Sequence, residues 1–444
     1  MVLNLNYKMK NKLLFGSLAL FSAVALVGCG SADKGAASVE LVTSIENPVE
    51  IEYWHSMSGA FSETIDKIVE DFNETIGEEQ GVHVKATYQG GYSDLKAKTV
   101  AAIKAGNSPA VIQGTVNNIM EYTQSGYVQD LTPYITNEEV GIKDFEDIYS
   151  VYREESSSYL EDGGYYSLPF AKSTDLLFYN ETLFTENNLE VPTTWEELVE
   201  VSEQITELTG KPALSIDNLP NYLITYLHQN NAGYTTKDGE LLFNNSTSLE
   251  AINLIKTNID NGVWRIAGED GYSSAPFLAE NTYMYIGSSA GEGFLTNDNF
   301  NWAATTVPQS DLENPTYIQQ GSNVAVLNQG KTSEEVLGAY LFVKYLSSYE
   351  ANLTWCMNTG YLPIRGSVAN SQEYLNFISE SNSTTKPNAI KSVENGFVEA
   401  LFTTGSITSD IVRNEVGVML EDIILGNLDP QTALDHYTEK LNNY

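Results

Sequence analysis

Between residues 49 and 113 the sequence changes its hydrophobic period repeatedly, and this alternation restricts the fold more than any other feature. Val49-Glu50-Ile51-Glu52-Tyr53-Trp54 alternates apolar and polar, the period of a strand. Ile65, Ile68, Val69, Phe72 and Ile76 then fall three or four residues apart and predict one apolar helical stripe. Val82 to Tyr88 alternates again. Asp94 to Ala105 reads as a helix stopped by Gly106-Asn107-Ser108-Pro109, and Ala110 to Gln113 as a short strand. Strand, helix, strand, helix, strand is the order of a parallel sheet covered by helices.

A second stretch of the same kind follows. Tyr165 to Phe170 and Asp175 to Tyr179 read as two strands, and Thr194-Trp195-Glu196-Glu197 as a capping box opening a helix that Gly210 closes. Thr282 to Ile286 predicts a strand running into Gly287-Ser288-Ser289-Ala290-Gly291. Asp429-Pro430 starts the last helix, with Pro at its first position. A chain of 444 residues exceeds one ordinary core. Two α/β units without a Pro- or Ser-rich linker predict two closely joined lobes, and small ligands favour such clefts.

The N-terminus carries a separate message. Lys8, Lys10 and Lys12 precede an apolar run from Leu13 to Leu26, shorter than the ~20 residues that a membrane span needs. This is the pattern of a signal peptide over residues 1–28. Leu26-Val27-Gly28-Cys29 resembles the lipobox of bacterial lipoproteins, which implies that Cys29 is lipidated and becomes the first mature residue. Residues 29–47 start small and polar and read as a tether. A lipid at Cys29 leaves Cys356 without a partner, so it is expected as a buried small hydrophobe.

The formal charge of −36 excludes nucleic acid as a partner, because that binding requires basic patches. Removing residues 1–28 takes away only lysines and leaves the rest more acidic still. His55, His83, His228 and His436 are scattered, and Asp298 lacks the Gly and Glu of a calcium loop, so no metal or other cofactor is expected. Gly287 to Gly291 matches the G-x-S-x-G nucleophile elbow, which would make Ser289 a hydrolase nucleophile. The only downstream histidine is His436, inside the last helix, a poor place for a mobile catalytic imidazole. The same Gly/Ser turn offers donors to an anion or a polyol, and an enzyme is not expected.

From about Ile51 to the last helix the chain resembles bacterial extracellular solute-binding proteins of ABC importers, the sugar and glycerol-phosphate group. Tyr53-Trp54-His55-Ser56-Met57, Ala105 to Ala110, Leu177-Phe178-Tyr179-Asn180, Thr194 to Leu198 and Thr359 to Ile364 carry the likeness. The W-H-S-M start points to the glycerol-phosphate branch. The resemblance implies a type II periplasmic-binding-protein-like α/β fold. Its first lobe would span 48–160, completed by about 322–366, and its second 161–321, completed by about 367–444. The chain would cross between lobes three times, and a cleft would close on a small polar ligand. It also implies a monomer that docks on permease subunits from the extracellular face of the membrane.

Carried over by position, Tyr92, Ser173, Trp195, Ser289, Gly321, Tyr361 and Arg413 are the implied ligand contacts. Arg413 would be the anion-binding residue, and the Ser289 match can slip by one. Lys172 would add a second charge or point to solvent, and the alternative for Arg413 is a pairing with Asp410 across a helix turn. Val116 stands where the glycerol-phosphate branch has a hydroxyl-accepting Glu, with Asn117 a partial substitute. The implied ligand is therefore glycerol-3-phosphate, a related phosphate ester, or a sugar.

Overall fold

A computed structural model describes residues 39–296, 298–381 and 383–444. The signal peptide and Cys29 lie outside them.

The first alternation folds as its periods require. Strand β1 (Val49–His55) is followed by helix α1 (Ala60–Phe72), β2 (Val82–Tyr88), α2 (Tyr92–Ala105), β3 (Val111–Thr115) and α3 (Val116–Gln124). Gly106 closes α2 in the left-handed conformation, at φ 74°. β1 pairs with β2 and β3 in parallel. The apolar stripe of α1 is buried as expected except at Ile76, which is 37% exposed. After Phe72 the chain makes one wide π-turn, Asn73–Gly77, which rotates Ile76 off the stripe. The turn also aims Asn73 at the open margin of β2: its Nδ2 donates to the Val84 carbonyl (2.9 Å), and the Val84 amide donates to its Oδ1 (2.8 Å).

The expected pair of strands at 165–170 and 175–179 is one strand, β4 (Leu168–Asn180), buried along almost its whole length. Helix α4 (Trp195–Thr209) begins at the Thr194/Glu197 capping box and ends at Gly210. Then come β5 (Leu214–Ile216), α5 (Leu219–Gln229), β6 (Trp264–Ile266), β7 (Met284–Ser288), β8 (Trp302–Thr306) and β9 (Tyr317–Val326). Helices α6 (Ser333–Leu346) and α7 (Tyr349–Asn358), the two-residue β10 (Gly396–Phe397), α8 (Ser409–Ile424) and α9 (Pro430–Asn442) complete the chain. Cys356 lies buried in α7 as a free thiol.

The strands form one sheet in the order β2-β1-β3-β9-β4-β7-β5-β6, with β8 also on β4 and β10 on β9. Its flanks are parallel; its middle, β3-β9-β4-β7, is antiparallel. Two large cores sit on it. One gathers Ile51, Tyr53, Phe72, Leu168, Phe170, Val324, Phe342 and Trp355. The other gathers Leu177, Trp195, Leu214, Leu223, Ile255, Ile318, Met419 and Leu434. β4 leaves the first core at Ala171 and enters the second at Leu177. β9 returns from Ile318 to Val324, and the segment between Ile390 and Phe397 passes back. The first passage thus falls inside β4. The middle of the sheet is where the two bodies meet, and any site between them has β4 and β9 as its floor.

Candidate functional site

Strand geometry alone selects the residues of that floor. In antiparallel pairs, residues opposite one another share a face. Ser173 opposes Gln320, Ala171 opposes Ser322, Thr115 opposes Ser322, and Asp175 opposes Ser288. With Gln113 two residues before Thr115, one face carries Gln113, Ser322, Gln320, Ser173, Asp175 and Ser288. This is a polar strip crossing from one core to the other. Buried strips of this kind must be hydrogen-bonded or face a ligand.

At the first-core end, Gln113 Nε2 donates to Ser322 Oγ (2.8 Å), and its Oε1 accepts from the Ser56 amide (3.0 Å). The Tyr92 hydroxyl, at the start of α2, meets Ser322, Tyr361 and Ser56. Tyr361 is buried against Phe61 and Trp355, and its hydroxyl lies 3.7 Å from Met57 Sδ. Burial holds both phenols above the ordinary tyrosine range, so both are neutral donors.

At the second-core end the strip becomes ionic. Asp175 accepts from Asn221 Nδ2 (2.9 Å) and Gln320 Nε2 (2.8 Å). Its pKa is pushed up to about 6, chiefly by burial and also by neighbouring Asp217; Asn221, Arg413 and Gln320 oppose the rise. Burial raises Asp217 as well, and its Oδ1 accepts from the Ser273 amide (2.6 Å). Arg413 reaches in from α8. It donates to Glu399 Oε2 (2.7 Å) and Asn218 Oδ1 (3.3 Å), and makes a close contact to Asn221 Oδ1. Asp410, the acid expected across the helix turn, pairs with Lys96 instead (2.9 Å).

The carried-over residues separate on this geometry. Tyr92, Ser173, Tyr361 and Arg413 lie along the strip, and Gly321 is the backbone position in β9 between its Gln320 and Ser322. Gly321 has φ 125°, and a Cβ there would stand 2.0 Å from the Ala171 carbonyl oxygen, so only glycine lets β9 approach β4. Trp195 does not lie on it: its ring packs against Tyr222 and Tyr226 in the second core, and its Nε1 donates to Gln229 Oε1 (2.7 Å). Ser289 is fully buried, and its Oγ accepts from the Thr174 amide (3.3 Å). Strand alternation puts Ser288, not Ser289, beside Asp175. The Ser289 hydroxyl is committed to the backbone and is not a presented nucleophile.

Lys172 neither adds charge to the strip nor points to solvent. It projects from the opposite face, wholly buried and in close ion pairing with Glu155. Around it, Tyr152 donates to Gln319 (2.9 Å), and Asn323 Nδ2 donates to Ser156, Tyr159 and Ser167 (3.2, 3.1 and 2.9 Å). At 116, where valine stands in place of the glutamate of the glycerol-phosphate branch, a carboxylate arrives from elsewhere. Glu399 accepts from Asn117 Nδ2 (3.4 Å), and Asn117 Oδ1 accepts from Ser409 Oγ (2.6 Å). Sequence reasoning missed Gln113, Asn221, Gln320, Asp175 and Glu399. Only the alternation of β3, β4 and β9 could have grouped the first, third and fourth.

Two α/β bodies joined through shared strands, with a polar strip at the seam, define a two-lobed solute-binding protein. The model of the bacterial extracellular solute-binding protein family matches residues 67–377, and the chain belongs to that family. It is therefore a binding protein, not an enzyme. The sn-glycerol-3-phosphate-binding periplasmic protein UgpB of Escherichia coli is 25% identical over 430 residues, spanning 92% of this chain and 95% of the relative. Its counterpart in Rhizobium meliloti is 23% identical over 419 residues, 88% and 93%. Among solved structures, UgpB from Mycobacterium tuberculosis in complex with glycerophosphocholine is similar at TM-score 0.76 and 17% identity, over 89% of this chain and 98% of the other. The cyclic alpha-maltosyl-1,6-maltose binding protein of Arthrobacter globiformis is similar at TM-score 0.74 and 22% identity, over 89% and 99%. No described helix is long and apolar enough to cross a membrane.

Proposed function

We propose that this chain is the lipid-anchored solute receptor of an ABC importer, held by Cys29. Its two lobes change over within β4 and β9, and its seam captures a neutral, hydroxyl-rich solute of the sugar class. The observation that carries the ligand class is the pairing of Arg413. Its guanidinium already faces Glu399 and Asn221, while Asp175 and Asp217 stand nearby. A phosphate would bring a further charge of about −1.5 to −2 to a cluster of three carboxylates and one arginine. Hydroxyls suit it better, because carboxylates and amide oxygens accept from them while Tyr92 and Tyr361 donate.

A phosphate ester is the second reading, favoured by Arg413 and by the similarity to sn-glycerol-3-phosphate-binding proteins. Thermal shift and titration calorimetry with maltose, maltotriose, glycerol and glycerol-3-phosphate separate the two. A ligand at a hundred times its Kd adds about 2.7 kcal/mol of stability, a readily measured shift. Saccharide binding without glycerol-3-phosphate binding is expected. Glycerol-3-phosphate binding that Arg413→Ala weakens about ten- to a hundredfold would put the phosphate ester in its place.

A further inference from the structure

Asparagine followed by glycine is a chemically labile pair, because glycine has no Cβ to hinder attack of its amide nitrogen on the asparagine side chain. The chain holds two such pairs, Asn261-Gly262 and Asn395-Gly396, each with an exposed asparagine. The fold treats them differently. Asn261 caps the helix Ser246–Asp260; its amide donates to Thr257 (3.0 Å), and the Gly262 amide donates to Ile259 (2.9 Å). The attacking nitrogen is therefore engaged in a helix cap. Asn395 follows the helix Thr385–Val393, and its carbonyl accepts from the Tyr317 amide of β9 (3.2 Å). Across the trans peptide bond the Gly396 amide points the opposite way, off β9, and among the described residues it makes no hydrogen bond of ordinary geometry. The Asn395 side chain makes none there either. The glycine is also fixed by packing. A Cβ at 396 would stand 2.6 Å from Gln319 Cγ and 3.0 Å from the Val393 carbonyl oxygen, so the close fit on β9 keeps the least hindered neighbour beside Asn395.

We infer that Asn395 is a site of spontaneous covalent modification, converting through a cyclic imide to aspartate and isoaspartate. The Gly396 amide gives its proton to solvent base, and its nitrogen forms a bond to Asn395 Cγ. The bond from Cγ to the side-chain nitrogen breaks, and that nitrogen leaves as ammonia with a proton taken from solvent. Water then adds to one of the two imide carbonyls and opens the ring. Opening on one side gives aspartate. Opening on the other carries the backbone through the side-chain methylene, which is isoaspartate. The position gives the change its consequence, because the segment between Ile390 and Phe397 is a passage between the two cores. It is held before Asn395 by Gln319 Nε2 on the Ser392 carbonyl (3.3 Å), and after it by the Phe397 ring stacked on His228 at 3.6 Å. An extra backbone atom between these two holds draws the Asn395 carbonyl off Tyr317 and slackens the passage. Either product also sets a new carboxylate beside Glu394.

The test is peptide mapping by mass spectrometry of the full chain aged in warm, mildly alkaline buffer, folded and in denaturant, for wild type and Asn395→Gln. In the folded protein Asn395 is expected to convert about fivefold or more faster than Asn261, the factor that one net hydrogen bond on the attacking amide represents. Its peptide should yield two products of equal mass that separate on a column, aspartate and isoaspartate. In denaturant the two sites should convert at similar rates. Aged wild type should melt below fresh protein, whereas Asn395→Gln, whose longer side chain closes a ring far more slowly, should keep its melting temperature through the same treatment. Equal folded rates at the two sites, or a faster Asn261, overturn the inference. Aspartate without isoaspartate also overturns it, because the imide opens on both sides. A preference for Asn395 that persists in denaturant does the same, since sequence neighbours rather than the fold would then select the site. Protein fully converted at Asn395 that melts as before overturns the slackened passage.

Discussion

Replacing Glu155 by glutamine leaves Lys172 as a buried ammonium without a counter-charge. Lys172 has no solvent exposure, its Nζ lies 5.5 Å from the Tyr152 ring centroid, and Glu155 is nearly as buried. Breaking a buried ion pair from one side costs about 3–5 kcal/mol. The amide oxygen of Glu155→Gln can still accept one hydrogen bond, worth about 1 kcal/mol. The net loss is then about 2–4 kcal/mol, and at about 2–4 °C per kcal/mol for bodies of this size Tm falls by about 4–16 °C. Burial holds Lys172 below the ordinary lysine pKa, with Glu155 opposing that effect. Without Glu155 the depression deepens. Between the folded and unfolded values the unfolded chain binds the extra proton, so stability rises with pH. Calorimetric melts of the ligand-free protein should therefore show the deficit shrinking as pH rises toward the ordinary lysine range. Converting both residues to methionine should come within about 2 kcal/mol of wild type. A Glu155→Gln shift under about 2 °C, or a deficit that grows with pH, would refute the reasoning.

Three further outcomes are expected. Gly321→Ala forces a Cβ against the Ala171 carbonyl at a left-handed φ and should cost about 2–4 kcal/mol in a thermal melt; a melt like wild type would mean that β9 shifts freely on β4. Asp175 is raised to about 6 from 3.8, so its contribution is fully present below about pH 4 and is lost as pH rises through 6. Asp175→Asn should flatten the Tm–pH curve between about pH 4 and 7 by up to about 3 kcal/mol, and an unchanged curve would place the ionisation elsewhere. Cys29→Ala should release the protein from the membrane fraction or leave the leader uncleaved; a processed, membrane-held variant would exclude the lipid.

What was legible in the sequence was local. The β1–α1–β2 periods, the Thr194 capping box, the Gly106 and Gly210 stops and the Pro430 start depend on neighbours a few residues away. β4 looked like two strands because Lys172-Ser173-Thr174 interrupts the apolar run. Those residues are polar because the strand there changes core, with an ion pair on one face and the strip on the other. A tryptophan at a helix start gives no sign of where its ring points, and the ring of Trp195 found Tyr222. The partners that decide the chemistry are distant in sequence: Asn221 with Gln320, Asn117 with Ser409, Arg413 with Asn221. No spacing rule brings them together. The resemblance placed Arg413 at the site, but only the fold showed that Glu399 meets it there.

Asn73 matters most where many copies crowd together. A sheet margin offers free amides and carbonyls on which a neighbour's strand can add, and proteins gathered on a surface meet margin to margin far more often than in dilute solution. On β2 the Val84 amide and carbonyl are both taken by the Asn73 side chain. At the other end of the sheet β6 runs for only three residues. A second copy therefore finds the β2 margin clasped in its middle and the β6 margin too short to template a strand. The widened turn that pushed Ile76 into water thus also closes the middle of the β2 margin to an added strand.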